Sequence, residues 1–223
     1  MSYLLRVILP DRPGSLGAVA TAIGHAGADI VSVDIVDKDG EYVVDDVVID
    51  IGPGQMPDEV MSAAHQLPGV SVESIRPFDG ALSTHRELQL LEAMSVDPTG
   101  AGQLMVDEIP RIFRSGWALL VRQDGEVIVR GDSAPEATHV TPWRQLLRAK
   151  IIDSTSDPVP MEWTVLDTSL MGAPAGEEYS FVCGRPGGPD FRPSELSRLA
   201  HLVGISRSIW LRHMEDTKTT PKP

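Results

Sequence analysis

Apolar positions in the first third of the chain follow two rhythms that alternate at short intervals. Tyr3 to Leu9 is apolar except for Arg6 and predicts a buried strand. Pro13 and Gly14 break it, after which Leu16, Val19, Ala20 and Ile23 fall at i, i+3, i+4 and i+7, the stripe of an amphipathic helix. Gly24 and Gly27 close that helix. Ile30 to Val36 predicts a strand with Val31, Val33 and Ile35 on one face and Ser32 and Asp34 on the other. Lys38-Asp39-Gly40 has hairpin-turn chemistry, and Tyr42 to Ile51 returns as the partner strand, its Asp45, Asp46 and Asp50 indicating partial exposure. Val60, Ala63, Ala64 and Leu67 repeat the helical stripe, Pro68-Gly69 ends it, and Val70 to Arg76 is a last strand. The order strand, helix, strand, strand, helix, strand is the split βαβ pattern: an antiparallel, ferredoxin-like sheet with two helices on one face. Its open edge and uncovered face call for a second copy.

Downstream the rhythm is less regular. Residues 79–84 form a linker rich in small and turn-prone residues. His85 to Met94 predicts a helix, and Gly102 to Arg114 another that Pro110 kinks or shortens. Trp117–Val121 and Val127–Arg130 bracket Gln123-Asp124-Gly125, a hairpin signal. Pro142 to Lys150 is expected as a short helix, Trp163–Leu166 and Tyr179–Cys183 as strands. Phe191 can staple against Leu196 across a helix start at Pro193, that helix running to about Met214 and leaving 215–223 as a disordered tail. Two α+β domains are therefore expected, 1–78 and 85–214, with no repeat between them.

Composition narrows the functions available. Of 223 residues, 42% are hydrophobic but 5% aromatic, so the cores should be aliphatic. The formal net charge is −13, and residues 1–78 alone carry four Lys+Arg against twelve Asp+Glu. Such acidity repels phosphate backbones and anionic lipid, which argues against nucleic-acid or membrane partners. Cys183 is the lone cysteine, and the start lacks a secretory pattern, both fitting a cytoplasmic protein. The six histidines (His25, His65, His85, His139, His201 and His213) lack ligand spacing, so no metal is expected. Gly184 to Gly188 is glycine-rich but lacks the Lys-Ser/Thr ending of a phosphate loop. Asp107 and Glu108 are adjacent and diverge on a helix, and Cys183 ends an apolar strand as a small hydrophobe. No acid–base or nucleophile constellation emerges, no cofactor is implied, and an enzyme is not expected.

The chemistry that does emerge is at Asp11-Arg12-Pro13-Gly14-Ser15-Leu16, where a strand ends and a helix begins. The first turn of a helix leaves backbone N–H groups without intrahelical partners, and the helix dipole adds partial positive charge. Gly14 lets a ligand approach the backbone, Asp11 can accept from an ammonium, and Arg12 can contact an anion. An alternative stands beside this: Asp11 and Ser15 only cap the helix, and Pro13 and Gly14 only shape a turn.

Asp11 to Leu16 resembles the D-x-P-G-x-L signature of ACT domains, and Gly27-Ala28-Asp29-Ile30 resembles the step by which they enter their second strand. The resemblance covers residues 3–76. It implies a side-by-side homodimer binding a small amino acid or related metabolite between subunits. Asp11, Arg12, Pro13, Gly14, Ser15 and Leu16 would line the loop side, and Asp29 and Ile30 the strand side. Family members often carry Asn where Asp11 and Asp29 stand, so this chain is expected to favour a ligand's ammonium end. Some ACT domains bind no ligand, and dimerisation with docking onto a protein partner is the alternative function. Residues 85–214 resemble a GAF-like domain through paired helices, a strand-rich middle, a long last helix and the run Asp190 to Leu199 at its entry. That resemblance implies a second small-molecule or dimerisation module that receives the signal.

Overall fold

In the N-terminal part the two rhythms resolve into β1 (Ser2–Pro10), α1 (Ser15–His25), β2 (Ala28–Lys38), β3 (Tyr42–Ile51), α2 (Pro57–His65) and β4 (Ser71–Pro77). The computed structural model describes residues 1–78 and 83–219. The chain divides into two compact units, Met1–Ala81 and Leu82–Pro223. In the first, the sheet order is β2-β3-β1-β4, antiparallel throughout, in the expected ferredoxin-like pattern. Because β1 and β3 pair without a register shift, strict alternation holds across them. Leu5, Val7 and Leu9 join Val43, Val47, Ile49 and Ile51, and Val19, Ile23 and Val60 from the helices close the core.

Two features of this sheet depart from the sequence pattern. Asp45 and Asp46 are buried, at 2% and 1% exposure, where partial exposure was expected; only Asp50 is exposed. Asp46 is buried because Arg6, its cross-strand neighbour, donates to both carboxylate oxygens at 2.8 and 2.9 Å. The second departure is on the edge strand. Register shifts in β2 between Ile30 and Ser32 and between Ile35 and Asp37 break its alternation. Val33 still packs on the core, but Val31 and Ile35 are 58% and 69% exposed.

The second unit contains α3 (Ser83–Val96), α4 (Ala101–Ile112), β5 (Trp117–Arg122), β6 (Val127–Arg130), β7 (Lys150–Ile152), β8 (Ser169–Ala175), β9 (Tyr179–Arg185) and α5 (Pro193–Thr219). Its sheet has the order β6-β5-β9-β8-β7, again antiparallel. Strand β5 shows why both faces are covered. Ala118 and Leu120 face α3, α4 and α5 through a core that includes Met94, Met105, Ile109 and Leu199. Trp117, Leu119 and Val121 face a second core with Leu146, Ile152 and Trp163. Trp163 is the hub of that side, 5.6 Å from Trp117 and 5.7 Å from Trp143 between ring centroids. Gly184 is required opposite Trp117, since a Cβ there would sit 2.2 Å from the indole ring.

Several expectations fail in this unit, and most involve segments held by packing rather than by local periodicity. Residues 142–149 are irregular instead of helical, because Trp143 and Leu146 both turn into the Trp163 core. Trp163–Leu166 is not a strand: Met161–Trp163 is one 3-10 turn, and Leu166 and Asp167 adopt left-handed φ of 61° and 52°. Strand β8 is unanticipated, its Gly172, Ala173 and Pro174 carrying no strand signal, yet Leu170 and Met171 fill opposite cores. Helix α5 extends to Thr219, beyond the expected end near Met214, with Glu215 and Lys218 compatible with helix; 220–223 lie outside the described residues. So do 79–82, most of the expected linker, while Ser83 and Thr84 open α3. At the head of α5, Phe191 and Leu196 both pack on the helix-side core, as the staple requires.

Candidate functional site

The loop after β1 is fastened at its root, where the Asp11 N–H donates to the Glu41 carbonyl at 2.8 Å. Arg12, Pro13 and Gly14 are then exposed. Gly14 stands at the N-cap of α1 with φ 92° and ψ −15°, and no side chain caps the helix. The capping role for Asp11 and Ser15 is therefore not realised. The Ser15 N–H reaches the Arg12 carbonyl at 3.2 Å and the Ala18 N–H the Gly14 carbonyl at 2.9 Å, whereas the amides of Leu16 and Gly17 have no backbone acceptor among the described residues. Nothing lies within 4 Å of where a Gly14 Cβ would stand. The first turn of α1 thus presents exposed donors, a bare backbone and no acidic side chain.

Asp11 does not face this opening alone. Lys38, at the far end of β2, places Nζ 2.9 Å from Asp11 Oδ2. Sequence reasoning missed Lys38 because it belongs to the hairpin turn, brought to the loop only by pairing of β2 and β3. The lysine is 58% exposed, so the pair contributes little to stability. It does cancel the loop's own carboxylate charge and leaves Arg12 as the exposed cation.

Asp29 and Ile30 lie elsewhere. Ala28 pairs with Ile51 and Asp29 with Asp50, while Pro10 pairs with Tyr42 at the other end of β3. Loop and step are separated by the length of α1, eleven residues or about 16 Å. One chain cannot bring Asp11–Leu16 and Asp29–Ile30 onto a single small molecule. At the step, Asp29 is exposed opposite Asp50, two like charges on neighbouring strands. Gln55 fixes the backbone there: its Nε2 donates to the Ala26 carbonyl at 3.2 Å, and its Oε1 accepts from the Gly52 N–H at 3.3 Å. It lies over Gly27, where a Cβ would clash with it. No local pattern reveals this clamp, since its partners are far apart in sequence.

Cys183 is fully buried, and burial pushes its thiol up to about 12. Gly184–Gly188 is occupied structurally: Arg185 is 2% exposed and pairs with Glu195 at 2.7 Å. Among the described residues no group of three His, Cys, Asp or Glu could hold a metal, and no helix is long and apolar enough to cross a membrane.

Comparison with known proteins matches residues 3–69 to the ACT domain family. NAD-dependent malic enzyme 1 of Bacillus subtilis (strain 168) is 30% identical over 125 residues, 55% of this chain and 26% of that protein, so the chain spans about a quarter of that relative. Among solved structures, a formyltetrahydrofolate deformylase from Pseudomonas putida aligns over 44% of this chain and 39% of its own, with 9% identity and a TM-score of 0.29. A putative glycine cleavage system transcriptional repressor aligns over 93% and 91%, with 10% identity and a TM-score of 0.30. A protein of unknown function from Galdieria sulphuraria aligns over 95% and 92%, with 12% identity and a TM-score of 0.31.

Proposed function

We propose, from the premise that residues 3–69 are an ACT domain, that this chain is a cytoplasmic, non-catalytic regulator whose N-terminal unit binds a small amino acid between two copies. The observation that carries this reading is the separation of loop and step along α1. Two copies set side by side in opposite directions would bring the loop of one to the step of the other. The edge strand β2, with Val31 and Ile35 exposed, supplies apolar surface for such a pairing.

The charges of the two halves are complementary to a zwitterion. The Leu16 and Gly17 amides and Arg12 suit the ligand's carboxylate. Asp29, beside Asp50, suits its ammonium. Asp11, neutralised by Lys38, is left to hold the loop rather than the ligand. The C-terminal unit, with paired helices, an antiparallel sheet and a long last helix, fits the GAF-like reading and would receive the signal. A ligand acts in this way only by binding one dimer arrangement more tightly than another.

Calorimetry with the twenty amino acids tests the reading, using the full chain, Gly14→Asp and Asp29→Asn. At least one amino acid should bind with one site per chain, Gly14→Asp should abolish it, and Asp29→Asn should weaken it about tenfold. A second reading, dimerisation and partner docking without a ligand, draws on the Lys38–Asp11 pair, which occupies one of the loop's own polar groups. Absence of binding by every amino acid, with a dimer that persists unchanged, would replace the first reading by the second.

A further inference from the structure

Within the C-terminal unit, a cavity of about 260 Å³ opens on the helix side of the sheet, between the start of α4, strands β5, β6, β8 and β9, and α5. It lies on the opposite face from the Trp117–Trp163 core. Its walls are apolar, among them Leu120, Val129 and Phe181, and Tyr179 meets Trp210 edge-on at 6.1 Å. Ile128 and Trp210, two of its lining residues, remain 42% and 37% exposed.

Three polar features border this apolar space. Ser206 is 5% exposed and lines the cavity, offering a hydroxyl at its wall. The first turn of α4 forms another part of the wall. Asp97 accepts from the Gly100 N–H at 3.1 Å, but the amides of Gly102 and Gln103 have no backbone acceptor among the described residues. The third is Arg207, whose Nε lies 3.4 Å from where a Gly176 Cβ would stand, so the guanidinium rests close against the β8–β9 turn. The Asp97 carboxylate stands at the α4 start beside Gly100, but among the described residues no acidic side chain lines the cavity itself. Donors are present and a cation is at hand.

We propose that this cavity is a second ligand site, for a small monocarboxylate with an apolar body of one ring or one branched chain. Its volume lies just under the roughly 300 Å³ at which sites for drug-sized molecules begin, which sets the upper size. The ligand's carboxylate accepts from the Ser206 hydroxyl and the α4 amides, and Arg207 supplies the countercharge. The site is independent of the amino-acid site in the other unit.

The test is calorimetric titration of the full chain with phenylacetate and 4-methylpentanoate, using phenylacetamide as the neutral control. Both acids should bind with one site per chain, and the amide at least tenfold more weakly. Arg207→Gln, at an exposed position, should weaken both acids at least fivefold, with Ser206→Ala acting in the same direction. Gly102→Leu should abolish binding, because a side chain there would enter the cavity beside Leu120, which lies 3.3 Å from the Cβ position. Leucine raises helix propensity over glycine but crowds Leu120, so far-UV circular dichroism matching the parent is required before loss of binding by Gly102→Leu is read as a blocked cavity, Arg207→Gln remaining the variant that leaves the packing intact. Gly14→Asp, which disables the other site, should leave phenylacetate binding unchanged. The proposal is overturned if neither acid binds saturably, if the amide binds equally well, or if Gly102→Leu has no effect. Loss of phenylacetate binding in Gly14→Asp would also overturn it, by placing the probe at the N-terminal loop.

Discussion

Replacing Arg185 by Met removes the densest set of polar contacts in the C-terminal unit while keeping an apolar side chain of similar reach. Arg185 is 2% exposed, and its Nη2 donates to Glu195 Oε1 at 2.7 Å and to the Phe113 carbonyl at 2.5 Å. Its Nε donates to the Arg114 carbonyl at 3.2 Å and its Nη1 to the Pro189 carbonyl at 3.0 Å. The guanidinium carbon also sits 4.0 Å from the centroid of Phe191. Arg114 follows α4 with φ 51°, a left-handed conformation that its tie to Arg185 helps to hold. Glu195 in turn caps α5 by accepting from the Arg192 N–H at 2.9 Å. Breaking a buried pair by removing one partner costs about 3–5 kcal/mol, and Arg185→Met should fall in that range. Glu195→Gln keeps an acceptor for Arg192 and should cost about 1.5–3 kcal/mol. The double variant should cost less than the sum by roughly 2 kcal/mol, because no buried charge is then left facing a neutral partner. All four tryptophans lie in residues 82–223, so urea unfolding followed by tryptophan emission reports this unit alone. Single-variant costs below about 1 kcal/mol, or strict additivity, would refute the reasoning.

Two further outcomes follow from buried titratable groups. Asp45 falls on the helix side of the first sheet, its Oδ1 buried without a hydrogen-bond partner among the described residues. Burial first, and the charge of Asp46 second, hold its carboxyl above 3.8. As pH rises from 3.8 through the raised folded value, the unfolded chain gives up this proton first, so the group's contribution to stability falls with pH. Asp45→Asn should therefore gain stability relative to the parent as pH rises through that window, read from amide exchange in β3; a difference independent of pH would exclude the mechanism. With its thiol pushed up to about 12, Cys183 should resist a disulfide reagent at pH 8 and react at the urea concentration where tryptophan emission changes. Stoichiometric labelling of the folded protein within minutes would contradict its burial.

Much of the first unit was legible because its signals are local. The stripe of Val19 and Ile23, the hairpin chemistry of Asp39-Gly40 and the apolar run of β1 each act within a few residues, and each element formed where its pattern predicts. The loop Asp11–Leu16 and the step Asp29–Ile30 were also readable as candidates, since residue type and spacing mark a helix start and a strand entry. What chain neighbours cannot encode came from strand pairing. Register sets Lys38 against Asp11, aligns Arg6 with Asp46 across the central strands, and puts loop and step against opposite ends of β3. In the second unit, residues 142–149 and the turn at Leu166 take conformations set by the Trp163 core, against their own local pattern. The cavity beside Ser206 belongs to the same class, for it exists only where α4, α5 and four strands leave space between them. Local preferences amount to tenths of a kcal/mol per residue, whereas fully burying one large apolar side chain contributes about 1.5–3 kcal/mol. Where the two agree, sequence alone determines the element; where they conflict, the tertiary structure decides.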